Sequence, residues 1–393
     1  MTPTRAALAL PAAVLVLSGC GVAASHAPRT TTVALHLPAT APAIAATALL
    51  RPLPVIPPAP TYVIANVSAG GANEWVEILT TSGKIIAKAE IDPSEGPMAG
   101  PGGAYWVANN ALHELTPAGA VRTLGMVPDG VYGVVIGPDG VSYAYATSAP
   151  LNNDPSNQDT VNKIMVMHPD AIAKAIVDTV ATPNDVYGEN SGGWSYSLVS
   201  WTNAGIAFVR VPEGMCGCGG FELQMQSGYS AIIDPVSGGQ TTVTASTSCP
   251  LSDLGPALES VCFAGTNATT AIQLATAGVV THSYALSGKN SAGDALFSDD
   301  SSQLAYVTLP AGDSECDGDP ITATLRVMNL ATGSTANRYM GDFVPSAWTG
   351  GLIYGTVTND TTGASYVVSV NPATFAITRL TPSGDTAGVV GVI

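Results

Sequence analysis

The chain has 393 residues, a formal net charge of −16 and only 11% charged residues. With no basic patch, nucleic acid is excluded as an expected partner, because binding it depends on neutralising phosphates, and the body has no electrostatic attraction to an anionic lipid surface. Gly, Thr, Ser, Ala and Val dominate, no amphipathic helical stretch stands out and 46% of residues are hydrophobic, a composition that suits many short strands joined by Gly- and Pro-rich turns.

The first element reads as an export signal. Arg5 supplies a positive charge, and Ala6 to Leu17 is apolar apart from Pro11. A run of about a dozen residues falls short of the roughly 20 that span a bilayer and fits the h-region of a signal peptide. Leu17-Ser18-Gly19-Cys20 follows at once. It resembles the lipobox of bacterial lipoproteins, in which a branched apolar residue and two small residues precede the cysteine. That resemblance implies removal of residues 1–19 as a lipoprotein signal peptide and lipidation of Cys20, with diacylglyceryl and palmitate-type chains. Two or more chains hold a protein at a membrane where one is marginal, since each buried CH₂ adds roughly 0.8 kcal/mol. The alternative is an ordinary secretory signal that happens to contain a cysteine. Residues 20–61 are rich in Ala, Pro and Thr, and Pro54 to Pro60 should be extended and stiff. This stretch is expected to be a disordered tether that leaves the body extracytoplasmic and anchored to the cell membrane.

From residue 62 to 393 one unit recurs seven times. A β-rich run with a central aromatic is followed by a polar loop, a second apolar run, a turn and a third strand. The aromatic runs begin with Tyr62-Val63-Ile64-Ala65, and continue with Ala104 to Val107, Ser142 to Tyr145, Ile206 to Val209, Val261 to Ala264, Leu304 to Val307 and Leu352 to Gly355. The turns fall at 81–83, 117–119, 169–171, 236–238, 276–278, 331–333 and 372–374. Their mean spacing is close to the roughly 40–50 residues of a propeller blade. An inner strand precedes the aromatic run at Leu198 to Thr202, Asp294 to Asp300 and Ser346 to Gly350. Here the chain resembles the TolB-like and WD-repeat propellers, whose blades carry an aromatic-Ser-x-Asp-Gly turn before an Ile-Ala-Phe type strand. Only Gly137-Pro138-Asp139-Gly140 keeps a clean Pro-Asp-Gly turn, and no Trp-Asp dipeptide occurs. The expected fold is therefore an all-β, seven-bladed β-propeller. The first unit lacks an inner strand, and Ala387 to Ile393 stands spare at the other end, so this C-terminal strand is predicted to complete the first blade.

Of six cysteines, Cys20 is committed to lipid by the lipobox resemblance. In an oxidising compartment disulfides are plausible. Cys249 with Cys262 is the first expectation, on sequence proximity, and the pairing of Cys216, Cys218 and Cys316 stays open. A zinc site is a poor match to these spacings.

Labelling blade strands a to d outward, antiparallel alternation places the b–c loops on one face. The long insertions, Ser148 to Asp159, Pro212 to Gly220 and Pro310 to Pro320, are mostly b–c loops, and the tether enters from the opposite face. Within the last of them Asp313, Glu315, Asp317 and Asp319 alternate as calcium ligands do, with Gly318 at the turn. A full EF-hand loop needs a bidentate Glu where Thr324 stands; a solvated acidic loop is the competing reading, and no other cofactor is indicated. Enzyme signatures are sparse. There is no Gly-x-Ser-x-Gly elbow and no nucleotide-binding loop. His113 and His282 fall on strands in packing positions, and His168 at a solvated turn. The primary expectation is a binding or scaffolding module for an envelope protein or glycan. The alternative is a hydrolase or lyase with carboxylates converging on the central channel, which a raised carboxylate pKa there would favour.

Overall fold

The body begins as an antiparallel meander of β1 (Tyr62–Ser68), β2 (Glu74–Thr80) and β3 (Ile85–Ile91). The computed structural model describes residues 62–68, 74–92, 96–128, 131–151, 159–169, 173–181, 194–212, 229–244, 249, 251–265, 269–287, 290–310, 323–359, 361–381 and 386–393. A second sheet follows, of β4 (Met98–Gly100), β5 (Gly103–Ala108), β6 (Ala111–Leu115) and β7 (Val121–Met126). The third contains β8 (Val131–Ile136), β9 (Tyr143–Pro150), β10 (Thr160–Met167) and β11 (Lys174–Ala181). The fourth contains β12 (Trp194–Thr202), β13 (Gly205–Pro212), β14 (Ser230–Ile233) and β15 (Gln240–Thr242). The fifth contains β16 (Leu251–Leu254), β17 (Glu259–Gly265), β18 (Thr269–Thr276) and β19 (Val279–Ala285).

A continuous seven-stranded sheet comes next, built from β20 (Asn290–Phe297), β21 (Gln303–Pro310), β22 (Ala323–Asn329), β23 (Thr335–Thr349), β24 (Leu352–Thr358), β25 (Ser365–Val370) and β26 (Ile377–Arg379). Its long strand β23 serves twice. Residues up to Gly341 pair with β22, and Asp342 onward pairs with β24. Finally β27 (Thr386–Val392) returns to the start and pairs antiparallel with β1, so the first sheet is ordered β27-β1-β2-β3. Among the described residues the fold is all-β, without a helix.

The aromatic runs occupy β1, β5, β9, β13, β17, β21 and β24, the second strand of each meander counted from the inside. These strands are buried over most of their length; in β21 every residue from Leu304 to Leu309 is buried. A strand covered on both faces reads as a nearly continuous apolar run rather than an alternating one. The outermost strands behave oppositely, and β19 is exposed at nearly every position. The turns at 81–83, 117–119, 236–238, 276–278, 331–333 and 372–374 join third to fourth strands.

Apolar cores lie between consecutive sheets. Ile64, Ile78, Ala104 and Leu115 join the first to the second. Leu112, Ile136 and Tyr143 join the second to the third, and Ile164, Tyr196 and Phe208 the third to the fourth. Val209 and Ile232 meet Leu251 between fourth and fifth, and Phe263 meets Phe297 and Tyr306 beyond it. Leu325, Phe343 and Val368 fill the space within the seven-stranded sheet, and Tyr354 and Val367 pack on Val63 and Ala65 of the first. Fully burying one such side chain contributes about 1.5–3 kcal/mol, so the sheets are held mainly by their faces.

Candidate functional site

The sequence-predicted residues divide into those the described structure contains and those it does not. Cys20, the tether 20–61, Cys216, Cys218, Cys316 and the acidic residues Asp313, Glu315, Asp317 and Asp319 lie outside the described residues. The chain segments around the latter groups run between β13 and β14 and between β21 and β22. Cys249 and Cys262 form a disulfide with their Cα atoms 5.2 Å apart. Both are buried, and the bridge ties the approach to β16 onto β17, where Leu251 is the strand partner of Cys262.

The histidines do not converge. His113 on β6 stacks on Trp106 at 5.5 Å. His282 lies on the exposed strand β19 and stacks on Tyr284 at 6.2 Å, so it packs at the surface, because this fourth strand faces solvent. His168 is exposed as expected, yet its Nδ1 meets Ser142 Oγ at 2.9 Å. The same hydroxyl donates to Asp139 Oδ2 at 2.6 Å. Since a hydroxyl has one proton, the imidazole Nδ1–H must be the donor to Ser142. A nucleophilic triad needs histidine between serine and carboxylate; here serine stands in the middle and is 2% exposed. Asp139 also accepts the backbone N–H groups of Val141 and Ser142. Those hydrogen bonds hold its carboxyl below the usual range although burial opposes them. Gly140, at φ +72°, closes the same turn with its N–H on Gly137, a conformation glycine adopts without penalty. This constellation clamps a turn.

Two polar arrangements were not legible in advance. Glu114 on β6 is 0% exposed. It pairs with Arg122 Nε, and its other oxygen faces Tyr105 Oη at 3.4 Å. Tyr105 Oη also takes the Gly102 N–H at 3.0 Å and lies 3.3 Å from Gly140 O on the next sheet. Burial, then the charge of Glu114, raises the Tyr105 hydroxyl above its ordinary value, so it remains a donor.

The second lies between inner strands β16 and β20. The pairing of β20 with β21 slips between Gly293 and Leu296, with Asp294 at φ +51°. Ser252 Oγ accepts the Ala295 N–H at 3.1 Å and Asp253 Oδ2 the Phe297 N–H at 2.9 Å. Asp253 keeps part of its surface, but the atoms packed around it push its carboxyl up to about 6, against the pull of the Phe297 and Leu254 N–H groups. In the half-polar run Leu251-Ser252-Asp253-Leu254 no sequence signal separates Asp253 from a solvent-facing acid. Among the described residues, no three His, Cys, Asp or Glu side chains gather as metal ligands would. The carboxyl of Asp253 is raised in the direction an acid catalyst needs.

No family model and no curated protein matches the chain. Solved structures do. The chain is similar to the acylaminoacyl peptidase of Pyrococcus horikoshii at 8% identity and a TM-score of 0.51, over 82% of this chain and 52% of that one. It is also similar to an oligogalacturonate lyase in complex with manganese (10% identity, 82% and 86% covered, TM-score 0.46). TolB from Acinetobacter baumannii matches at 10% identity, with 84% and 79% covered and a TM-score of 0.39. The chain spans about half the length of the acylaminoacyl peptidase and of the Porphyromonas gingivalis dipeptidyl peptidase 4 it also resembles. At such identities the likeness carries the fold alone. The class it defines, with the successive antiparallel meanders, is the β-propeller.

Proposed function

We propose that the chain is a lipid-anchored, extracytoplasmic propeller of seven blades that binds an envelope protein or glycan through the face opposite its tether. The ring of seven is supported by the cores that join each meander to the next and the last to the first, and by β27, which supplies the inner strand β1 lacks. Anchoring rests on the lipobox-like Leu17-Ser18-Gly19-Cys20. The observation that carries the binding reading is connectivity. The segments between β9 and β10, β13 and β14, and β21 and β22 all join second to third strands, and antiparallel alternation puts such joins on one face. Elaborated connections on a rigid scaffold are where binding sites usually sit. The chain enters β1 from the other end, at Tyr62 beside Thr80.

The test uses the full chain in its own membranes. Crosslinking with calcium and with chelator should recover one envelope protein or glycan, and replacing Pro310 to Pro320 should abolish recovery while Cys20→Ala releases the protein from the membrane. Recovery that survives the replacement would place binding elsewhere. A second reading, a propeller hydrolase or lyase, is favoured by the raised carboxyl of Asp253 on an inner strand. It predicts turnover of an ester, peptide or uronate substrate that Asp253→Asn abolishes.

A further inference from the structure

Among the described residues, a large apolar side chain is exposed at five of the places where a third strand turns into a fourth. Ile85, Val121, Val279 and Ile377 open β3, β7, β19 and β26, and Val236 lies in the turn just before β15. They are 41% to 74% exposed. The far ends of the fourth strands show no such recurrence: Met126 and Val180 are exposed there, but Ile91 is buried and Thr242 and Arg379 are polar. The turns behind these tips are closed on themselves. The Gly83 N–H donates to Thr80 O, the Gly119 N–H to Thr116 O and the Gly238 N–H to Asp234 O, each at 2.9 Å. The Asp234 carboxylate accepts the Val236 and Ser237 N–H groups, and Lys174 Nζ on Val236 O ties that turn to the sheet before it. Apolar residues exposed singly need no explanation, whereas one position repeated in five meanders does. Internally bonded turns also carry fewer open backbone groups into an apolar medium.

What covers the tips follows from where the chain enters the body. Tyr62 is the strand partner of Thr80, which closes the 81–83 turn, and the Ile393 N–H donates to Tyr62 O. The start of β1 and the end of β27 therefore lie at the same end as the tips. Residues 20–61 come immediately before Tyr62 and reach at most about 150 Å when fully extended. An anchor at Cys20 would confine this end beside a bilayer at a high effective concentration, where weak insertion is enough. Asp139 and Asp300, in first-to-second turns, and Asp234 stand at this end too. With a net charge of −16, they disfavour anionic lipid.

Resting on the anchored-propeller reading, we propose that this end of the body docks on the bilayer itself, with Ile85, Val121, Val236, Val279 and Ile377 entering the headgroup–acyl boundary of zwitterionic lipid. Insertion of this kind buries apolar side chains about 5–10 Å deep. The test replaces the lipid anchor, so it holds whether or not Cys20 is acylated. The full chain carries a hexahistidine tail after Ile393 and is held on phosphatidylcholine vesicles that contain a nickel-chelating lipid. Val236→Trp and Val279→Trp, made singly, report depth through quenching by bromine on the acyl chains, relative to unbrominated lipid. Val121→Trp repeats the readout from the second sheet, and Leu151→Trp, exposed between β9 and β10, reports the opposite end. Emission added over wild type should shift to the blue and lose intensity for the three tips, and stay unchanged for Leu151→Trp. The proposal is overturned if no tip is quenched in variants that melt as wild type does, or if Leu151→Trp is quenched as strongly. Release of the untagged chain by Cys20→Ala tests the anchor separately, so failure of the anchor and failure of the docking are told apart.

Discussion

The junction within the seven-stranded sheet and the junction between the second and third sheets solve one problem with different chemistry. In the first, β23 runs unbroken from one meander into the next, and Val307, Leu325, Phe343, Trp348, Ile353 and Val368 form an apolar core, with the Gly350 N–H on Asp299 and Arg338 on Phe375 O at its margins. In the second, apolar Leu112 and Ile136 share the space with Tyr105, which also touches Glu114 and Gly140. The first junction gains most from apolar packing. The second gains less from packing and relies in part on the buried contacts of Tyr105.

Graded perturbations can break or sharpen that contrast. The largest effect should come from deleting 386–393, which removes β27 and uncovers Val63, Ala65 and Val67. Loss of the cooperative thermal transition by circular dichroism is the expected outcome; a melting temperature within a few degrees of wild type would show that the first sheet stands without its latch. Next, Phe343→Ala in the first junction should cost about 3–5 kcal/mol in denaturant titration, since Phe343 is 1% exposed. A cost below about 1 kcal/mol would remove the contrast.

Asp253→Asn tests the junction of β16 with β20. The folded-state pKa of Asp253 is raised from 3.8 to about 6, so the folded state binds the proton more tightly than the unfolded one. Stability from this group is fully present below about pH 4, falls as pH rises toward 6 and is level above. The amide, which can still accept the Phe297 N–H, should flatten that fall and recover on the order of 2–3 kcal/mol at pH 7. Parallel pH–stability curves for variant and wild type would refute this. The smallest effect should be Tyr105→Phe in the polar junction, about 1–2 kcal/mol from the hydroxyl's lost hydrogen bonds, read by the same titration. A cost equal to that of Phe343→Ala would mean that the polar network, rather than packing, holds the second sheet to the third.

The sequence by itself determined the second strands, the third-to-fourth turns and the spare C-terminal strand. Val261-Cys262-Phe263-Ala264 and Leu304-Ala305-Tyr306-Val307 are legible because a strand buried on both faces must be apolar throughout. Their turns are marked by Gly, Pro and Thr, as at 331–333. Fourth strands such as Val279–Ala285 carry no such mark, because water covers them and any residue serves. Tertiary structure alone decided the rest: that β23 joins two meanders, that Asp253 receives an N–H from Phe297, 44 residues away, and that Tyr105 meets Gly140, 35 residues away. Those contacts depend on how faces stack across sheets. Periodicity along one strand records which side is buried, while the identity of the group facing it from the next sheet is fixed only when the sheets are in place.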